Sequence, residues 1–241
     1  MIYALNITQM FTNIYSMLSF LSVKNIPSLS WNSPSPLNLL PRITTLGYLL
    51  LGLLLFGLGE AVLIAAGAGV SPWTVLAQGV SNYTDWSIGF STFIISGSVL
   101  FLWIPLRQIP GIGTILNVII IATVIEAALH YLPVTENSFS QFLYVLVGVL
   151  TTGIGGGIYL TANLGAGPRD GLMTGLQCLT GAPVAWVRNG IELSALLIGW
   201  SLGGAVGVGT LLFAFLIGPS VAFSLFVLSK LVSDRGAGAP I

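Results

Sequence analysis

Arg169 and Asp170 stand side by side in the stretch NLGAGPRDGLMTGLQCLTG, in a 241-residue chain that carries only seven basic and seven acidic residues. Gly165 and Gly167 allow a sharp turn, and Pro168 suits the first position of a helix. A helix that begins there offers free N–H groups and the positive end of its dipole, and Arg169 adds a bidentate donor. Gly167, Arg169 and Asp170 are therefore candidates for a gate or anion-binding element that meets an anionic or zwitterionic solute. A structural reading stands beside it: Arg169 obeys the positive-inside rule, and Asp170 suits a helix N-terminus.

Ionisable residues inside apolar stretches are costly unless they are paired or face a cavity, so each marks a place to look for chemistry. Glu192 and Arg188 are one helical turn apart and can pair at i, i+4, with Asn189 between them. Glu60 lies deep in another apolar stretch. Glu192, Arg188, Asn189 and Glu60 are the candidate substrate-binding residues, and Glu192 is the first candidate for a solute-binding or proton-coupling carboxylate. The alternative for Arg188 and Glu192 is a pair that fixes helix packing. Glu60 and Glu126 have the alternative of hydrogen bonds to neighbouring helices. His130, beside Tyr131, reads as an interface residue.

Other chemistries find little footing. GWSLG at 199–203 matches the literal G-x-S-x-G pattern, with Ser201 at its centre, but that pattern works on a strand-turn-helix elbow and here it ends an apolar helix. No phosphate-binding glycine loop is present, so the chain itself supplies no ATP-driven pump. One histidine and one cysteine, Cys178, give neither a disulfide nor a metal-ligand set. No cofactor, no metal and no catalytic residue is expected, and with basic and acidic residues in balance no nucleic-acid surface is expected either.

The elements that must position these residues are membrane helices. Only 6% of the residues are charged and 55% are hydrophobic, a balance that no water-soluble domain of this size shows. Six stretches, at roughly 45–66, 87–106, 112–132, 139–162, 184–203 and 208–230, approach the length of about 20 apolar residues that a bilayer requires. After the first and the fourth comes a shorter segment that opens on Gly and Pro, GVSPWTVLAQGVSNYTD and GAGPRDGLMTGLQCLTG. Each predicts an interfacial or re-entrant helix. Residues 1–42 predict a poorly ordered or peripheral extension without the order of a signal peptide, and 232–241 form a tail. Basic residues fall on one side if the amino terminus is cytoplasmic, which places both termini in the cytoplasm.

The sequence also repeats. Offset against itself by 96 positions, it aligns 48–114 with 144–210. Gly52 meets Gly148, Gly57 and Gly59 meet Gly153 and Gly155, Gly69 and Pro72 meet Gly165 and Pro168, and Gly111, Gly113 and Thr114 meet Gly207, Gly209 and Thr210. Trp73 falls opposite Arg169, and Glu60 opposite Gly156. Each copy holds three spans, and an odd number turns the second copy over in the membrane. The expected fold is an all-α membrane protein of six transmembrane helices, arranged as two inverted three-helix repeats, 43–135 and 136–231, each with one short broken helix.

The stretches LFGLGEAVLIAAGAGVSPWTVLAQGVS, WIPLRQIPGIGTILN, GAGPRDGLM and RNGIELSALLIGWSLGGAVGVGTLLFAFLIGP resemble the YczE/YyaS/YitT membrane proteins of bacteria, over roughly residues 43–227. The resemblance implies a multi-span protein of the bacterial inner membrane and leaves its molecular activity undefined. Glu60 stands where an aliphatic residue is expected in such proteins.

Three functions remain open on these residues. The first is secondary transport of a small solute by rocking of one repeat against the other around a midplane site. A second is a non-transporting scaffold or regulatory protein that acts through a partner complex, which small-residue helix faces and short loops suit equally well. The third, more remote, is an intramembrane hydrolase built on Ser201. The expected partners are the lipid bilayer, a small-molecule solute, and further copies of the chain through small-residue helix faces, while the small-xxx-small pairs such as Gly153 and Gly157 read as helix packing, with helix unwinding around a solute as the alternative.

Overall fold

The computed structural model describes Pro27 and residues 29–236, with side chains as far as 231. Among the described residues there are eight α-helices and no strand. They are α1 (Ile43–Ala66), α2 (Pro72–Thr84), α3 (Ile88–Trp103), α4 (Ile112–Leu129), α5 (Ser138–Thr161), α6 (Pro168–Thr180), α7 (Val184–Ser201) and α8 (Val208–Gly236). The two Gly-Pro segments form the short helices α2 and α6, and both carry proline at the start.

Helices α1, α4, α5 and α8 are long and apolar enough to cross a membrane. Helices α2 and α3 pass the same test only as a pair, bent by 114° at the break between them, so the candidate spans number four, or five with the bent pair. The expected number was six, and the difference has a physical cause in two helices. The 16 residues of α3 rise only about 24 Å, short of a bilayer core. In α7, Arg188, Asn189 and Glu192 dilute the apolar content within 18 residues.

Antiparallel α1 and α5 form the centre of the molecule. Gly52 of α1 meets Gly155 and Tyr159 of α5, and Gly59 meets Gly148 and Thr152. A Cβ at any of these four glycines would come within 3.0 Å of the facing helix, closer than carbon atoms pack. Small residues thus set how near the two backbones lie, as in other membrane helix pairs. Helix α4 flanks α1 and α8 flanks α5, while α2 packs on α7 and α6 on α3. Two apolar clusters fill the joints: Leu49, Leu53, Ile121 and Ile125 with Tyr159, and Leu63, Val70, Val145 and Val149 with Phe213. Phe101, Val147 and Phe215 point outward, where hydrocarbon takes the place of water.

Several details recur at the 96-residue offset. Gly69, at φ +100°, packs on Gly207 and Thr210, and Gly165, at φ +116°, packs on Gly111 and Thr114. The Gly209 N–H donates to the Ala68 carbonyl at 2.8 Å, as the Gly113 N–H donates to the Leu164 carbonyl at 2.8 Å. Left-handed backbone also falls in offset pairs: Gly67 with Asn163, Asp85 with Gly181, and Arg107 with Gly203.

Most of the expected N-terminal extension, residues 1–26 and 28, lies outside the described residues, as does the end of the tail at 237–241. Of the segment that is described before α1, Trp31 stacks on Tyr48 with ring centroids 4.1 Å apart and donates from its indole to Thr161 Oγ1 at 3.1 Å. The Asn163 amide donates to the Ser33 carbonyl at 2.8 Å. These bonds tie the segment to the end of α5 and the turn that leads into α6.

Candidate functional site

Arg169 is the second residue of α6 and projects toward the middle of α1. Its guanidinium carbon lies 5.5 Å from the Phe56 ring centroid and 5.8 Å from that of Trp73. Cation–π contact is worth about 0.5–1 kcal/mol at an exposed site and about 2 kcal/mol when desolvated, and Arg169 is partly exposed. Among the described residues the guanidinium makes no hydrogen bond and no ion pair. Trp73 and Arg169 are equivalents at the 96-residue offset, and in the structure they meet. The self-alignment sets the two opposite each other, but Trp73 was not among the residues expected at the site.

Two cavities share Arg169 in their walls. The inner one, about 40 Å³, is lined by Glu60, Trp73, Thr74, Asn117 and Arg169 among others, and has room for about three waters. Glu60 is 1% exposed. Its Oε2 accepts from the hydroxyls of Ser71, at 2.9 Å, and Thr74, at 2.6 Å, at the start of α2. Glu60 Oε1 and the Trp73 indole N–H are both buried without a partner. A buried acceptor and a buried donor with nothing to bond cost about 1–3 kcal/mol each, and here both stand in the wall of a cavity beside a lone cation.

The outer cavity, about 320 Å³, is lined by Gly167, Arg169, Asp170, Arg188 and Glu192 together with Tyr159 and the apolar face of α8. Gly167 leaves room where α6 begins: a Cβ there would lie 3.2 Å from Asp170 Oδ2, 3.3 Å from the Tyr159 hydroxyl and 3.5 Å from the Asn117 amide nitrogen. The Tyr159 hydroxyl donates to Asp170 Oδ2 at 2.8 Å, which holds that carboxylate at the rim. Arg188 Nε donates to Glu192 Oε1 at 3.0 Å, with the two side chains 51% and 30% exposed. Trp103 secures the start of α6 from the other side, its indole donating to the Pro168 carbonyl at 2.9 Å.

The structure brings six of the seven candidate residues to these two cavities. Glu60 faces the inner one, Gly167, Asp170, Arg188 and Glu192 the outer one, and Arg169 both. Arg169, expected as a gate, lies further in than Arg188 and Glu192. Asn189 lines neither cavity and is exposed on the far side of its helix turn. Glu126 accepts the Gly89 N–H at 3.1 Å, which joins α3 to α4. The Ser201 hydroxyl donates to the Ile198 carbonyl of its own helix at 2.7 Å, and His130 stacks edge-on against Tyr131. Sequence reasoning missed Phe56, Asn117 and Tyr159, which arrive from three separate helices and carry no local motif.

The comparisons with known proteins agree with a membrane protein. A model described as a family of unknown function, DUF6198, matches residues 43–225. A Haemophilus influenzae relative, named only as an uncharacterized protein, is 40% identical over 209 residues, which cover 87% of this chain and 95% of the relative. The Bacillus subtilis uncharacterized membrane protein YczE is 36% identical over 176 residues, 72% of this chain and 82% of its own. YyaS of the same organism is 26% identical over 166 residues, 67% and 83% of the two chains. No solved structure matches.

Proposed function

We propose, for a chain that belongs to the DUF6198 family, that it is a secondary transporter of a small anionic or zwitterionic solute and has no enzymatic activity. The observation that carries this reading is the unpaired Arg169 guanidinium between two cavities of mixed polar and apolar lining, beside a buried carboxylate with a free oxygen. An anionic group fits against Arg169 and the Trp73 indole N–H, and a cationic or donor group of the same solute fits Glu60 Oε1. Arg188, Glu192 and Asp170 line the approach.

Six spans in two inverted repeats, 43–135 and 136–231, complete the reading, with α3 and α7 as short or tilted crossings. The reciprocal contacts at the 96-residue offset support it, since Gly52 faces Gly155 and Gly59 faces Gly148 as a two-fold relation requires. Basic residues at 42, 107, 169, 188 and 230 favour the bacterial inner membrane, with both termini and the outer cavity toward the cytoplasm.

A thermal-shift screen of the purified protein against anions and amino acids tests the reading. A ligand that raises the melting temperature of the wild type, and fails to do so in Arg169→Gln or Glu192→Gln, is the expected result. If folded wild type responds to nothing, the scaffold reading takes its place. That second reading draws on α8, whose apolar surface is mostly uncovered and available to a partner or another copy.

A further inference from the structure

A third cavity lies against the Arg169 site, and its character is different. It is an open groove of about 780 Å³ between α2, α3, α6 and α7, with a lining that is overwhelmingly apolar: Leu76, Leu102, Leu172, Leu176, Ile191 and Ile198 are representative. Trp73, Ile95 and Val99 line both the groove and the inner polar cavity, so these three side chains are the partition between them. On α7, Val187, Ile191, Ser194 and Ile198 face the groove, while Arg188 and Glu192 face the outer cavity. One helix therefore carries a polar edge toward the cation and an apolar edge toward the groove. Nothing stands within 4 Å of a Cβ added at Gly190, on the groove side.

We infer that the solute is an amphiphile, an anionic head on a hydrocarbon tail, with the head at Arg169 and the tail in this groove, the two joined where the Ile95 and Val99 side chains of the shared wall move aside. The inference rests on the reading of Arg169 as an anion site and names its ligand class. Charge sets the direction of the molecule: the lone guanidinium and the unpartnered Trp73 N–H are donors for an anion at the inner end. The groove supplies the rest. Its volume lies within the range of small-molecule sites, about 300–1,000 Å³, whereas the inner cavity alone holds no more than a head group. An amphiphile satisfies both, because its polar and apolar parts are separated as these linings are.

Dodecanoate and butanoate share a head and differ in tail, and their binding to the protein in lipid nanodiscs tests this directly. Dodecanoate is expected to bind at least tenfold more tightly than butanoate to the wild type. Gly190→Phe, whose Cβ meets nothing and whose ring enters a groove that Gly190 lines, is expected to bring the two within about threefold of each other, and Ser194→Phe serves as an independent groove-filling variant. Arg169→Gln is expected to weaken both ligands. Equal binding of the two by the wild type, lost in Arg169→Gln, would overturn the groove assignment and leave the anion site standing. A tail preference that survives both groove-filling variants would also overturn it, since the tail would then lie in the surrounding lipid. If neither ligand shows binding that depends on Arg169, this inference fails together with the anion site for carboxylates.

Discussion

Arg169, partly exposed at the cavity walls, is held by two aromatic rings rather than by a carboxylate. An anion that reaches it displaces no internal partner, so little is lost on binding. Glu60 differs, because one of its oxygens is already committed to Ser71 and Thr74 while the other is free. Glu60→Ala removes the acceptor for both hydroxyls and is expected to cost about 1–3 kcal/mol in reversible unfolding in detergent. Glu60→Gln keeps an acceptor in place and is expected to cost less than half as much, while solute binding weakens in both variants. Equal destabilisation by Gln and Ala would contradict this division of Glu60 into a structural and a free oxygen. The charged members of the site were legible in the sequence because charge is rare in so apolar a chain. Phe56, Asn117 and Tyr159 were not, since an aromatic or amide in a membrane helix has many ordinary places and only the packing of α1, α4 and α5 brings these three together.

At the scale of the helices, close approach at α1 and α5 is fixed by glycine, and open surface on α7 is marked by it as well. Gly59→Ala puts a methyl against Thr152 and is expected to destabilise by about 1–3 kcal/mol. Gly190→Ala meets nothing and is expected to be neutral or to stabilise by up to about 1 kcal/mol through helix propensity. Thermal unfolding of the two variants in one detergent checks the contrast, and similar losses in both would contradict the packing described. The short helices were legible from Gly-Pro openings, and α6 begins at Pro168 as expected. The length of α3 was less so. Hydropathy continues past Trp103 into Ile104 and Leu106, but the chain turns there, with Arg107 in left-handed backbone. The end of α3 is set by that turn and by the bond from Trp103 to Pro168, which no local pattern announces.

Across the whole molecule the two halves match in their turns but not in their openings. In the first half α3 sits on α4, with the Gly89 N–H bonded to Glu126. The offset equivalents of these residues, Ala185 and Ala222, belong to α7 and α8, and there the outer cavity separates the helices. Nothing stands within 4 Å of a Cβ at Gly218 on that face. One half is thus closed and its counterpart open, an asymmetry that the proposed transport by alternating access would use. Exchange of the two arrangements would close the outer cavity over Arg169 and open the site toward α3 and α4. The most direct test places one cysteine in the shared path: Gly156→Cys in a Cys178→Ser background, where an added Cβ makes only ordinary contacts with Val221 and Phe56. Labelling with a membrane-impermeant maleimide is then compared in right-side-out and inside-out vesicles. The account predicts labelling from both faces. Labelling of the folded protein from one face alone, or from neither, would contradict it.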